Sequence, residues 1–336
     1  MIDINKISFK EFFGIYMHDT ENILSDYTRR GREANVKAHT GVFENIPLFD
    51  ITSQTIMEWQ NNLFKTTSEK TGKLLSVATV KQIIVSVRIV FRHAAEVYGL
   101  ENKPFMGVPK IKDVATAKAQ YWTSEEFYYM LDKIPPKDKI YRLIYETLFL
   151  TGMRVGELLA LTRSDISYCK RLNSGTIRIN KGIHFNKKQH IVTPPKTPSG
   201  NRNIECPGEL LSKLCDYAKG PKERIFKIYP QTVCTYLREL VREQGDGLNY
   251  IKVHGLRHSH VAYLMHNKTN LLLISERIGH SSPEITLRQY GHFYPKEAKI
   301  VVENLSELIR ANEIEKTSTG FLAKCWQKLK TCWVCD

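Results

Sequence analysis

The chain has no run approaching the ~20 consecutive apolar residues that cross a bilayer. Its opening stretch, Met1 to Phe13, carries Lys6, Lys10 and Glu11 where a secretory leader needs an unbroken apolar core. Neither export nor membrane insertion is expected. A glycine-rich phosphate loop is missing, so use of ATP is not indicated. No acidic cluster suits two-metal chemistry, and metal independence is the expectation. The cysteines number seven, an odd count: Cys169, Cys206, Cys215 and Cys234 are scattered, while Cys325, Cys332 and Cys335 crowd the C-terminus. That pattern excludes a disulfide framework and points to reduced thiols in a cytosolic setting. Internal repeats and low-complexity segments are also missing, which argues against a solenoid or a disordered chain.

What is present is a chain of 336 residues, 42% hydrophobic, with a formal net charge of +14. The length suggests two domains. The apolar content is enough for a real core. A balance this basic calls for a polyanionic partner, nucleic acid before any other.

Helical signals fill the first third. Ser8 and Glu11 form a capping box, and Thr52 caps a helix carrying Ile56, Trp59 and Leu63 on one face. From Ser76 the residues Val80, Ile83, Ile84, Val87, Phe91, Ala94, Ala95 and Tyr98 recur at helical spacing, closed by Gly99. Lys81, Arg88 and Arg92 lie off that stripe and make a basic outer face. Residues 1–106 therefore read as a helical DNA-binding bundle. Pro- and Lys-containing residues 107–120 read as a linker. Thr123 and Glu126 begin a new helix, and another covers about Lys139 to Leu150. Strand-like alternation at Thr176–Ile179, Gly182–Phe185 and Ile191–Thr193 predicts one small antiparallel sheet over 175–205. Helical patterns return from about Pro207 to Arg310. The fold class is mainly α with a small antiparallel β-sheet. A mixed α/β domain spans residues 121–311, and 312–336 form a tail. Cys332-x-x-Cys335 in that tail is open to a metal or redox pair, or to no structure at all.

Four local motifs carry chemistry. Arg154 and Glu157, in Thr151-Gly-Met-Arg-Val-Gly-Glu-Leu158, are three apart and on a helix would share a face, letting the carboxylate orient the guanidinium. Lys196 stands at the end of a strand before the turn Thr197-Pro-Ser-Gly-Asn201. His254 and Arg257, in His-Gly-Leu-Arg-His258, face the same way, a costly arrangement unless an anion meets both. Gly279-His280-Ser-Ser-Pro283 precedes Thr286-Leu-Arg-Gln-Tyr290, with Ser282 and Pro283 as cap and first residue of a short helix ending near Tyr290. Each motif alone has an ordinary reading as packing or surface.

In the order Arg, Lys, His-x-x-Arg, Gly-His, Tyr, however, these motifs resemble the catalytic domain of the tyrosine recombinases, the phage integrase family. The likeness covers about residues 121–311. Ser76-x-x-Thr79 and Asn102-x-Pro104 resemble that family's helical core-binding domain more diffusely. The overall character is closest to integrases of temperate phages and integrative elements. The resemblance implies a site-specific recombinase that cleaves and rejoins DNA through a 3′-phosphotyrosine and a four-way junction. Arg154 and Arg257 would clamp the scissile phosphate, with His254 and His280 completing the pocket. Lys196 would be the acid for the leaving 5′ oxygen, and Tyr290 the nucleophile. Glu157 and His258 would support them, His258 either from behind the catalytic residues or in a structural role. Tyr290 lies ten residues beyond His280 and Tyr294 fourteen, and the family spacing of nine or ten selects Tyr290. The partners implied are duplex DNA at attachment-type sites, gripped by both domains as a C-shaped clamp, a homotetramer on DNA, and an accessory DNA-bending or directionality factor. The setting implied is the cytoplasm and nucleoid of a bacterial host. The helical bundle starts close to Met1, which leaves binding at distal arm sites open and admits a simpler recombinase that binds core sites alone. The helical pattern at 295–311 is open to packing in cis or onto a neighbouring protomer.

The chemistry stands beside the resemblance. Two guanidinium forks match the equatorial oxygens of a phosphoryl transition state and can take the part of a metal ion. No cofactor is needed, since a covalent phosphotyrosine conserves the bond energy for rejoining. His254 and His258 have metal-ligand spacing, but Arg257 between them would repel a cation. The rival readings are a type IB topoisomerase-like enzyme and a non-catalytic DNA-binding regulator. A requirement for two specific DNA segments discriminates against the first. The intact set of Arg154, Lys196, His254, Arg257, His280 and Tyr290 argues against the second.

Overall fold

Local capping sets the start of each major helix in the first unit. The computed structural model of the chain describes residues 3–69, 71–112, 120–186, 189–195, 197–291 and 306–307. These fall into two compact units, residues 1–117 and 118–336. In the first, Ser8 and Glu11 cap α1 (Phe9–Asp19) reciprocally: the Ser8 amide donates to the Glu11 carboxylate and the Glu11 amide to Ser8 Oγ. Helix α1 buries Phe9, Phe12, Phe13 and Tyr16 against α4 (Val77–Tyr98), whose stripe from Val80 to Ala94 matches the sequence periodicity. Gly99 ends α4 at φ 74°, the left-handed conformation that suits glycine. Helix α3 (Ser53–Leu63) buries Ile56, Trp59 and Leu63, as expected. Asn102 fastens the exit of α4 to the entry of α3 by donating to the carbonyls of Leu48, Phe49 and Ile51 at 2.8–3.0 Å.

The structure adds α2 (Asp26–His39), which the sequence reading leaves out. It is strongly polar and buries only Val36 fully, so its apolar stripe is too narrow to register as a period. The cations of α4 also differ in setting. Arg92 is exposed, Lys81 is half-buried, and the Arg88 guanidinium lies over the Phe105 ring at 4.9 Å. Arg88 is thus tied into packing rather than standing on an open basic face. Val108 and Ile111, within the stretch read as linker, pack on this unit's core.

The second unit is built on α6 (Lys139–Thr151), whose Ile144, Tyr145, Leu148 and Phe149 enter the larger core. The Phe149 ring stacks on Phe127 of α5 (Ser124–Asp132) at 4.0 Å. After the short α7 (Val155–Leu158) come β1 (Ile166–Cys169), β2 (Ser174–Ile179), β3 (Gly182–Asn186), β4 (Gln189–Thr193) and β5 (Arg202–Pro207). The single sheet expected over 175–205 is two sheets. One is antiparallel in the order β1-β2-β5, aligning Ile166, Ile177 and Ile204; the other is the β3–β4 hairpin. Strand β1, four residues long, lies outside the stretch read as sheet. The hairpin buries Ile183 but leaves Ile191 and Val192 exposed, so it pairs with itself and does not join the core sheet. Helices α8 (Gly208–Tyr217), α9 (Pro230–Gln244), α10 (Gly255–His266), α11 (Leu271–Ile278) and α12 (Pro283–Tyr290) complete the unit. Val261, Met265, Ile274, Ile278 and Tyr290 form a second, smaller core cluster. Among the described residues no helix is long and apolar enough to cross a membrane.

Candidate active site

Helix α6 stops at Gly152, φ 64°, and the chain turns sharply into α7. The turn matters because it aims a carbonyl inward: Gly152 O accepts from Arg257 Nη1 at 2.8 Å. The sequence reading puts Arg154 and Glu157 on one helical face. Instead Arg154 is the extended N-cap of α7 (φ −75°, ψ 149°) and Glu157 is its third residue. The Glu157 carboxylate reaches back to the Arg154 amide at 2.9 Å and to Arg154 Nη1 at 2.8 Å. A carboxylate at the start of a helix satisfies an otherwise orphaned amide, and here it orients the guanidinium as well.

On its other side Glu157 meets Arg202 of β5, at 2.9 Å to Nη2 and 3.3 Å to Nη1. Burial raises the Glu157 pKa, but the hydrogen bond and charge of Arg202, together with the Arg154 amide and charge, hold it below the usual carboxylate range. The Arg202 Nε–H donates to Arg277 O at 2.7 Å and Nη1 to Gly200 O. Arg277 in turn donates to His260 Nε2, Glu205 O and Leu150 O. Arg202, Arg277 and His260 carry no sequence motif, and nothing local in the chain announces them.

Arg257, on the first turn of α10, is 2% exposed and donates from Nη1 to Gly152 O and from Nη2 to Ile278 O. Burial, reinforced by the Arg154 charge, brings its pKa down to about 9, so it stays charged at neutral pH. Arg154 keeps 45% of its side chain exposed and is the site's open cation.

His254 is the N-cap of α10, its ring edge-on to His258 at 5.0 Å. Burial, then the neighbouring His258, Arg257 and Arg154, hold it down to about 4. Its residue surface is exposed, so solvent moderates the burial part and the cationic surroundings carry the direction. His280 follows α11; its Nδ1 pairs with Thr286 Oγ1 at 2.8 Å, and burial with the surrounding arginines depresses it to about 4.

Tyr290 ends α12 as expected, with Pro283 opening the helix. It is 1% exposed. Its hydroxyl lies 2.6 Å from His258 Nδ1, and the His280 ring stacks on it at 6.4 Å. Burial pushes its pKa up to about 12, against the pull of Arg257 and Arg154. His258, read from sequence as a supporting or structural residue, touches the candidate nucleophile; burial and then the Arg257 charge lower its pKa.

Arg154, Glu157, His254, Arg257, His258, His280 and Tyr290 thus share one polar site in the second unit. Its guanidiniums outnumber its single carboxylate, which suits an anion. Lys196 lies outside the described residues, as do His292, Tyr294 and the tail cysteines. Among the described residues no group of three His, Cys, Asp or Glu is arranged to hold a metal ion.

Comparison with known proteins gives the family and the fold. The phage integrase family profile matches residues 121–297, and the N-terminal SAM-like domain of phage integrases matches residues 8–64. The chain is 28% identical over 321 residues to the ICEBs1 integrase of Bacillus subtilis (strain 168), covering 90% of this chain and 84% of that protein. It is 24% identical over 316 residues to the integrase of Staphylococcus phage L54a, covering 83% and 85%. Among solved structures it resembles the Tn1549 transposon integrase in complex with a circular intermediate DNA (TM-score 0.73, 18% identity, 89% of this chain and 100% of that one). It also resembles a lambda integrase tetramer bound to a Holliday junction (TM-score 0.60, 19% identity, 88% and 79%).

Proposed function

This chain belongs to the phage integrase family, and from that premise we propose how its residues carry out site-specific DNA recombination. It is a tyrosine-type DNA strand transferase that acts on specific DNA sites. The observation that carries the reading is the buried Tyr290 hydroxyl in a pocket charged by Arg154 and Arg257.

The scissile phosphate enters on the exposed Arg154 side. Arg154 and Arg257 take its non-bridging oxygens, and their charge grows in value as the transition state spreads charge over those atoms. Arg257 already spends two N–H groups on carbonyls, which fixes the plane in which the rest of its fork meets the phosphate. His254 and His280, held neutral, contribute hydrogen bonds without adding charge. The Tyr290 oxygen attacks phosphorus, the 5′ oxygen leaves with a proton from Lys196, and a 3′-phosphotyrosine forms. Rejoining reverses the step with a new 5′ hydroxyl, so one strand is exchanged at a time through a Holliday junction.

The assembly is a homotetramer on two DNA sites, a reading supported by the likeness to a lambda integrase tetramer bound to a Holliday junction. A helical core-binding domain, residues 1–106, holds the core site through cations including Lys81 and Arg92. Residues 107–120 join it to a catalytic domain, 121–311, followed by a tail, 312–336. An accessory bending or directionality factor sets the outcome, in the nucleoid of a bacterial cell.

The test is covalent trapping. A site enriched by the protein from random-sequence DNA is built into a nicked suicide duplex, and denatured mixtures are examined for a protein–DNA adduct. Wild type gives the adduct, while Tyr290→Phe binds the DNA and gives none. An adduct lost only with Tyr294→Phe would move the nucleophile. Binding with no adduct from any form would make the protein a non-catalytic regulator.

A further inference from the structure

We propose that His258 is the proton acceptor for Tyr290, its Nδ1 taking the hydroxyl proton as the tyrosine oxygen attacks phosphorus. This rests on Tyr290 being the nucleophile. The P–O bond to Tyr290 forms while the P–O5′ bond breaks, and the phenol proton passes to His258. The leaving 5′ oxygen takes a different proton from a separate acid. On rejoining, the 5′ hydroxyl attacks, the Tyr290 oxygen departs, and His258 hands its proton back. Nothing is oxidised and no further reactant is needed.

Geometry carries the inference. His258 Nδ1 is 2.6 Å from the Tyr290 oxygen, inside the reach a general base needs. The contact is fixed at both ends. Tyr290 is packed with Val261, Met265, Ile274 and Ile278. The first turn of α10 is held by Arg257 on two carbonyls and by Ser259, which accepts from the Trp122 amide and donates to Gly255 O. Two other candidates are committed elsewhere: Glu157 between Arg154 and Arg202, and His280 Nδ1 on Thr286.

The need is real as well. Burial makes the Tyr290 proton harder to lose than that of an ordinary tyrosine, so attack at neutral pH requires a base. Burial and then Arg257 lower His258, which leaves its ring neutral and able to accept. The titratable and charged groups that meet it are Arg257 and His254 of its own helix and Tyr290 of α12, while Arg154, Glu157, Arg202 and His280 act on those neighbours. The Arg257 charge favours the neutral ring in the resting enzyme. The incoming phosphate anion then offsets that charge as His258 takes up its proton.

The experiment measures single-turnover adduct formation on the suicide duplex from pH 6 to 9, with wild type, His258→Ala and His258→Asn. The same duplex is also made with a 5′-bridging phosphorothiolate, whose leaving sulfur needs no protonation. Expected is a ~10²–10⁴-fold loss at pH 7 in both variants, with DNA affinity and urea midpoint unchanged for at least His258→Asn. The variants' rate should climb about tenfold per pH unit as tyrosinate forms, where wild type is level, and sulfur should not restore it. Variants within twofold of wild type, a loss equal at every pH, or full rescue by the phosphorothiolate would each overturn the assignment. The last result would move His258 to the leaving oxygen. Absence of an adduct from wild type itself would overturn the underlying reading of Tyr290, and this proposal with it.

Discussion

At the scale of single residues, the site is a lesson in which neighbours the chain announces. Arg154, Glu157, His254, Arg257, His258, His280 and Tyr290 were legible because each motif lies within a few residues of continuous chain. Arg202 was not, since its partner Glu157 is 45 residues away and only the fold joins them. Yet Arg202 is the more deeply buried of the two arginines on that carboxylate, 6% exposed against 45% for Arg154. Removing one member of a buried pair strands the other's charge. Arg202→Met should therefore lower unfolding free energy by about 3–5 kcal/mol, read by urea titration, with Arg202→Lys recovering only part because it lacks the fork. A midpoint within experimental error of wild type would show that Arg154 alone satisfies Glu157.

The histidines around the site make a second prediction at this scale. His254, His258, His260 and His280 all have depressed pKa values, His260 to about 3 through burial and the Arg277 charge. Unfolded histidine takes up its proton near pH ~6.5. Between that pH and the lower native values the unfolded chain binds more protons, so stability falls as pH drops through the window. The steepest contribution is ~1.4 kcal/mol per pH unit for a fully buried histidine such as His260 and less for the exposed His254. The urea midpoint should drop between pH 7 and pH 5, and His260→Gln should flatten part of the drop. Glu157 and Asp165 are held below the usual carboxylate range, so they keep their charge between pH 7 and pH 5 and do not blur the drop. A midpoint constant from pH 7 to 5 would contradict the burial of these rings.

At the scale of elements, α1, α3, α4 and α5 could be read from a cap joined to a stripe, α6 from its stripe alone, and α12 from Ser282 and Pro283 at its start. Helix α2 has a capping serine, Ser25, but almost no stripe, so its place in the fold comes from tertiary packing. Asn35 donates to Ser86 Oγ of α4 across 51 residues, a contact invisible in the sequence. The end of α6 shows how an element can position a distant side chain. A Cβ on Gly152 would stand 2.5 Å from His260 Cδ2, in a left-handed backbone conformation. Gly152→Ala meets two costs, ~1–2 kcal/mol for the conformation and ~1–3 kcal/mol for overpacking. It should lose about 3 kcal/mol of stability in urea unfolding. The same shift disturbs the carbonyl that holds Arg257, so adduct formation should fall more than DNA binding does. A variant with full stability would mean that α6 ends with more freedom than its φ and surroundings allow.

At the scale of the whole molecule, the division into two units and the DNA partner followed from length, charge and the order of motifs. The sheet topology did not, because strand pairing between Ile166, Ile177 and Ile204 depends on contacts the sequence does not rank. The charge leads to the last prediction. A chain of net charge +14 that neutralises DNA phosphates releases their counterions, so log affinity falls linearly with log salt, by about 0.9 per phosphate contact. With ~6–10 contacts the affinity for duplex DNA should fall ~10³–10⁵-fold from 50 to 200 mM salt. The cations of α4 then separate by their settings. Arg92 is exposed, so Arg92→Ala should lower the salt slope by about 0.9 and leave stability unchanged. Arg88 lies over Phe105, so Arg88→Ala should lower the melting temperature, because the guanidinium covers an aromatic face of the core. The two measurements are fluorescence anisotropy across a salt series and thermal unfolding of the free protein. If Arg88→Ala instead changed only the salt slope, the cation–π contact would give way to phosphate on binding, and the DNA-facing surface of the first unit would extend across α4 to Phe105.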